Sequence, residues 1–200
     1  MKRIGLVGGT FDPIHAGHLF LGDRAAEALS LDEVWYLPAG DPYFKTERGV
    51  SPAKTRLEMV RLALEGQKDR RVCDLEVRRG GRTYTCETLE ELRRLRPDCA
   101  FTFLVGGDCL SELSRWKDPG RILAAARVAV LSREGRDLAR LQKEAKALSR
   151  RFGGEVTVIP APAIELSSTM LRERVKAGLS LRGLTPEKVE RYILENGLYR

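Results

Sequence analysis

The stretch Ile4-Gly5-Leu6-Val7-Gly8-Gly9-Thr10-Phe11-Asp12-Pro13-Ile14-His15-Ala16-Gly17-His18 runs from an apolar segment through a glycine-rich turn into a helical periodicity. Residues 4–7 read as a strand, the glycine-rich turn as a βα loop, and Leu19, Ala25, Ala26 and Leu29 as the stripe of the following helix. The alternation recurs downstream, with strands expected at 34–37, 72–76, 101–105, 128–131 and 156–159. The stretches between them are long enough for crossover helices. Leu57, Val60, Leu62 and Leu64 mark a second helix, with Ser51 expected as its cap and Pro52 in its first turn. Leu89, Leu92 and Leu95 space a third, and Leu138, Leu141, Ala145 and Leu148 a fourth whose other face is charged and solvated. Helices are also expected at 168–176 and, after Thr185-Pro186, through Ile193. The pattern predicts an α/β fold, a Rossmann-like doubly wound parallel sheet with a small C-terminal helical segment. One domain over 1–200 is expected, its core at about 1–165 and the helical segment at about 166–200.

Composition narrows the function classes. The 200 residues are 42% hydrophobic and 32% charged, which argues against disorder, and 19 Gly with 9 Pro show no collagen-like period. The 35 Lys and Arg exceed the 28 Asp and Glu by seven, so an anionic partner is expected: nucleotide phosphates, nucleic acid or an acidic membrane surface. Cys73, Cys86, Cys99 and Cys109 form no CxxC pair, and the only two histidines are His15 and His18, so a zinc site is not expected. The first residues carry too short an apolar run for a secretory signal, and no later stretch approaches about 18 apolar residues. A reduced, cytoplasmic protein is the expectation.

A βα loop at the carboxyl end of a strand is where open α/β sheets bind ligands. Gly8 and Gly9 let main chain approach a phosphate, and the next helix offers free N–H groups and a favourable dipole. The loop is neither GxGxxG nor GxxxxGK[ST], so the dinucleotide fingerprint and the P-loop are set aside. What stands there is HxGH, with His15 and His18 three residues apart and so on one side of a helical turn. A second candidate segment is Glu165-Leu166-Ser167-Ser168-Thr169-Met170-Leu171-Arg172. Its hydroxyls can cap a helix or hold phosphate oxygens, and Arg172 adds a planar charged fork.

These two segments resemble the HxGH nucleotidyltransferase superfamily, whose members carry GGTFDPxHxGH early and SSTxxR late. Further blocks, in order, resemble the bacterial nicotinate-nucleotide adenylyltransferases: Asp41-Pro42-Tyr43-Phe44-Lys45, Ser51 with Arg56 and Met59, residues 79–85, Gly106-Gly107-Asp108, Trp116 and residues 192–199. The resemblance implies adenylyl transfer from ATP to nicotinate mononucleotide, giving deamido-NAD and pyrophosphate, a step of NAD synthesis that depends on Mg2+ held mainly by ATP phosphates. No covalent enzyme intermediate is expected, because the attacking 5′-phosphate is already an anion.

It implies His18, His15, Lys45 and Arg172 as catalytic residues. ATP would be held by Gly8, Gly9, Thr10, Phe11, His15, His18, Gly106, Asp108, Arg133, Ser168, Thr169 and Arg172. The mononucleotide would be held by Thr10, Lys45, Thr85 and Trp116, with Trp116 stacking on the nicotinate ring. No metal-ligating side chain is expected. The chain departs from the family pattern at Phe44, where histidine is usual, and at Glu87, Glu134 and Asp118-Pro119.

The expected partners are these two small molecules, without nucleic acid or membrane, and self-association into a homo-oligomer is left open. The alternatives are transfer to nicotinamide mononucleotide or phosphopantetheine, and a nucleic-acid-binding or nucleotide-sensing protein that keeps the fold without turnover. The arginines between Arg70 and Arg96 motivate the last, but Asp69, Asp74, Glu76, Glu87, Glu90 and Glu91 interleave with them.

Overall fold

A computed structural model describes residues 1–41, 49–133 and 138–200, apart from the Arg133 side chain. In chain order the elements are β1 (Lys2–Gly9), α1 (Ala16–Leu29), β2 (Glu33–Pro38), α2 (Ala53–Leu64), β3 (Arg70–Val72), α3 (Leu75–Arg79), α4 (Thr85–Leu95), β4 (Cys99–Gly106), α5 (Gly107–Leu113), α6 (Pro119–Ala125), β5 (Arg127–Arg133), α7 (Leu138–Phe152), β6 (Val156–Ala161), α8 (Ser168–Lys176) and α9 (Glu187–Glu195).

The six strands form one parallel sheet in the order β3-β2-β1-β4-β5-β6. This is the doubly wound arrangement that the alternating pattern predicted. Strands buried on both faces carry continuous apolar runs, and residue parity sorts them. Ile4, Leu6, Phe101, Phe103, Val128 and Val130 pack into the cluster on one face. Val7, Leu104, Ala129 and Leu131 belong to the cluster on the other, together with Leu171, Val175, Val189 and Ile193 of α8 and α9. The C-terminal helices therefore complete one wall of the core.

Two local expectations need correction. The strand placed at 72–76 ends at Val72: Cys73 N–H donates to the Tyr36 carbonyl, and the chain then turns into α3. Leu75 and Glu76 are adjacent and both buried, which a half-buried strand cannot accommodate but a helical turn can. Ser51 does not cap α2, whose N-cap position is Pro52. Ser51 instead gives its N–H to Asp12 Oδ2 and its carbonyl to Arg56. The short helices α3, α5 and α6 had no counterpart in the sequence reading. Among the described residues, no helix is long and apolar enough to cross a membrane.

The chain progresses outward in opposite directions from β1 and β4, which are paired through Val7 and Leu104. This is the switch point where a crevice opens beyond the strand carboxyl ends. Gly9 closes β1 and Gly106 closes β4 there.

Candidate active site

The crevice is floored by the turn between β1 and α1. Gly8 and Gly9 are glycine for a packing reason: a Cβ on either would stand 3.0 Å from the ring of Phe103 or Phe11 respectively. Phe11 takes a left-handed φ of +51° and buries its side chain, so only its main chain can face a ligand. Its ring lies edge-on to His18 at 4.9 Å.

His15 sits at the N-cap of α1, and its main-chain N–H donates to His18 Nδ1 at 3.2 Å. The two imidazoles stack, with centroids 3.7 Å apart and planes 26° from parallel. The spacing therefore does bring both rings to one side of the turn. His15 is 5% exposed, its Nδ1 is buried without a hydrogen-bond partner among the described residues, and burial pushes its pKa down to about 4. A buried, unsatisfied ring nitrogen is costly unless a ligand meets it. At neutral pH this histidine is an uncharged donor and acceptor.

Four carbonyls of the turn accept from side chains elsewhere in the chain. Arg56 donates from Nη1 to Thr10 O at 2.7 Å, and Arg172 from Nη1 to Asp12 O at 2.7 Å. Ser168 Oγ donates to Pro13 O at 2.9 Å and Thr185 Oγ1 to Ile14 O at 2.7 Å. Ala16 N–H donates in turn to Leu184 O at 2.8 Å. Carbonyls drawn into the scaffold cannot repel an anion in the crevice. The Asp12 carboxylate is likewise held below the turn, accepting from the Tyr199 hydroxyl at 2.6 Å and from Ser51 N–H at 3.2 Å.

The segment 167–172 thus joins the first loop. Ser167 is the N-cap of α8, accepting from Met170 N–H at 3.1 Å. Ser168 is committed to Pro13 O, and Thr169 Oγ1 accepts from Arg172 Nη2 at 3.2 Å. Gly106 and Asp108 stand at the junction of β4 and α5, Asp108 exposed in the first helical turn. Arg133 ends β5 at the same sheet edge. Lys45, expected at the triphosphate, lies outside the described residues, as does Phe44.

Thr85 is the first residue of α4. Trp116 is half-buried, meeting Phe103 edge-on at 6.0 Å, and Phe103 in turn approaches Gly8. One side of the indole is anchored in the core, and its remaining exposed surface is available to a planar ring. Beside it Lys117 lies 3.9 Å over the Tyr84 ring and 2.7 Å from Glu87.

Sequence reading assigned no role to Asp12, Arg56, Thr185 or Tyr199. Arg56 is 1% exposed and donates to carbonyls of Thr10, Gly40 and Ser51, so one guanidinium pins three loops. In the sequence Arg56 stands on the apolar face of an expected helix, beside Leu57 and Val60, and in one of the blocks that carry the family resemblance.

Comparison with known proteins shows the family and the fold. The model of the cytidylyltransferase-like family matches residues 6–174. A relative from Lachnoclostridium phytofermentans, described as a probable nicotinate-nucleotide adenylyltransferase, is 37% identical over 199 residues, covering all of both chains. One from Desulfitobacterium hafniense with the same description is 38% identical over 199 residues, covering 100% of this chain and 96% of its own. Among solved structures, the nicotinic acid mononucleotide adenylyltransferase of Plasmodium falciparum, complexed with NaAD, superposes with a TM-score of 0.79. It shares 18% identity over 100% of this chain and 98% of its own, a likeness of fold. The chain is an enzyme and belongs to the cytidylyltransferase-like nucleotidyltransferases, within them to the nicotinate-nucleotide adenylyltransferase family.

Proposed function

We infer that the enzyme transfers the adenylyl group of ATP to nicotinate mononucleotide, releasing pyrophosphate and forming deamido-NAD. An oxygen of the mononucleotide 5′-phosphate forms the new bond to the α-phosphorus while the bond from that phosphorus to the bridging oxygen breaks. The electron pair leaves with pyrophosphate. The observation that carries this reading is the stacked His15–His18 pair beside the glycine turn, at the switch point of the sheet, in a chain of this family.

Such a reaction needs alignment and charge stabilisation more than proton transfer. Main chain at Gly8, Gly9, Thr10 and Phe11 approaches the phosphates, and His15 and His18 donate to the triphosphate, with His18 the main stabiliser of the transition state. Arg172 has guanidinium N–H groups beyond those bound to Asp12 and Thr169, and these reach the leaving pyrophosphate, joined by Lys45. Ser168 and Thr169 act through the N-terminus of α8, Ser168 with its hydroxyl already engaged. Gly106, Asp108 and Arg133 bracket the adenosine half. Thr10, Lys45, Thr85 and Trp116 hold the mononucleotide, the indole against its ring. Among the described residues no group of three or more His, Cys, Asp or Glu side chains could hold a metal ion. Mg2+ would ride on the ATP phosphates and water, neutralising their charge.

In this reading residues 1–200 are one catalytic unit, with the segment at about 166–200 completing a core at about 1–165. Small-molecule partners suffice, in a reduced cytoplasm that keeps the four cysteines as thiols. Supplying ATP and Mg2+ with nicotinate mononucleotide, nicotinamide mononucleotide or phosphopantetheine, and measuring pyrophosphate release, tests it. Release is expected to be fastest with the nicotinate compound. Negligible release there beside brisk release with another acceptor would sink the assignment.

A further inference from the structure

Asp12 is the structural centre of the glycine turn, with its carboxylate below the ligand face and only 4% of the residue exposed. The Tyr199 hydroxyl donates to Oδ1 across 187 residues of sequence, and Ser51 N–H donates to Oδ2. Tyr199 is itself fixed: its φ is +63°, Leu198 N–H before it donates to Ile193 O, and its hydroxyl lies 3.9 Å from Met59 Sδ. Burial, then the adjoining Asp12 carboxylate, pushes the phenol pKa up. The hydroxyl is therefore a donor throughout the physiological range. Asp12 is also the residue whose carbonyl receives Arg172, and it lies three residues before His15.

We propose that Tyr199 is a positioning residue for the transfer reaction: its hydroxyl, acting through the Asp12 carboxylate, sets the conformation of the turn that presents His15, His18 and Arg172 to the triphosphate. The inference rests on the reading of the site given above. Tyr199 touches no reacting atom. Without its hydroxyl a buried carboxylate loses one of two donors, and the cheapest relief is for Asp12 to move toward water, which takes the turn with it.

The test uses the full chain as wild type, Tyr199→Phe and Ile193→Val, each assayed for pyrophosphate release from ATP and nicotinate mononucleotide with Mg2+, and each melted to obtain Tm. Ile193→Val loosens the same C-terminal segment, at a fully buried position, without touching Asp12. Tyr199→Phe is expected to lower kcat/KM for ATP about tenfold or more, since small misplacements of a catalytic frame cost that much. The KM for the mononucleotide should stay within about twofold, and Ile193→Val should leave both constants within about twofold despite a lower Tm. If wild type releases no pyrophosphate, the reading of the site falls and this inference with it. If wild type turns over and Tyr199→Phe keeps pace, or Ile193→Val shows the same kinetic loss, this inference alone falls. A cycle with Asp12→Ala adds a check on the route: the effect of Tyr199→Phe should vanish once the carboxylate is gone, and its persistence would overturn the mechanism.

Discussion

His15 is a neutral imidazole at neutral pH, and this fixes how it can act. With its pKa at about 4, it can offer a directed hydrogen bond but no full charge. The same shift makes stability depend on pH. The unfolded chain takes a proton at the ordinary pKa of 6.5, while the folded chain refuses it until about 4, so below 6.5 the unfolded state binds more protons. The contribution of His15 to stability is fully present above pH 6.5 and falls by about 3 kcal/mol by pH 4. Urea unfolding across that window should show the slope, and His15→Asn should lack it. On the proposed mechanism, His18→Ala is expected to reduce kcat about a hundredfold or more with the circular dichroism spectrum unchanged. Near-normal kcat in a folded variant would remove it from the mechanism. Both histidines were legible in the sequence because their spacing and neighbours are local. Asp12 and Tyr199 were not legible as partners, since nothing local marks a hydrogen bond 187 residues long.

Among the elements, α2 shows how a helix can serve a site it does not enter. Its apolar face packs Leu57, Met59, Val60, Ala63 and Leu64 inward, and the same face carries Arg56 to the carbonyls of Thr10, Gly40 and Ser51. Arg56→Met keeps the volume but strands three acceptors, so a loss of about 3 kcal/mol is expected by urea unfolding, together with a clear drop in kcat. A loss below about 1 kcal/mol would show that water replaces the guanidinium. The long strands and helices were readable because two-fold and 3.6-fold periodicities need several residues to declare themselves. Gly107–Leu113 and Pro119–Ala125 are too short for that, and three-residue β3 takes its strand character from pairing with β2 rather than from its own composition. The helical turn at 75–79 could be recognised only once Glu76 had a buried partner, the Thr88 hydroxyl at 2.8 Å.

At the scale of the molecule, the two hydrophobic clusters lie on opposite faces of one sheet, and one of them contains residues from β1, α2, α8 and α9 together. Native-state hydrogen exchange should therefore find the amides of Leu171, Val175, Val189 and Ile193 opening at nearly the free energy of β1 and β4. A C-terminal segment that opens several kcal/mol more easily would mean that it is an appendage to a core complete without it. The positive charge is spread over this surface chiefly as paired side chains, such as Arg70 with Asp23 and Asp69, Arg121 with Glu90, and Lys188 with Glu65. The formal excess of +7 thus says little about the crevice, where location and not quantity of charge decides what binds.

The hydrogen bonds that hold the turn from behind reach across 155, 160, 171 and 187 residues, from Ser168, Arg172, Thr185 and Tyr199. During synthesis the glycine turn leaves the ribosome well before the groups that shape it, which lie 155 to 187 residues further along. A nascent chain can assemble much of its sheet beforehand, yet the glycine turn stays unfinished until those residues emerge. Catalytic competence therefore arrives abruptly and late in translation, and chains stalled before about residue 185 would carry the full HxGH signature without a working site.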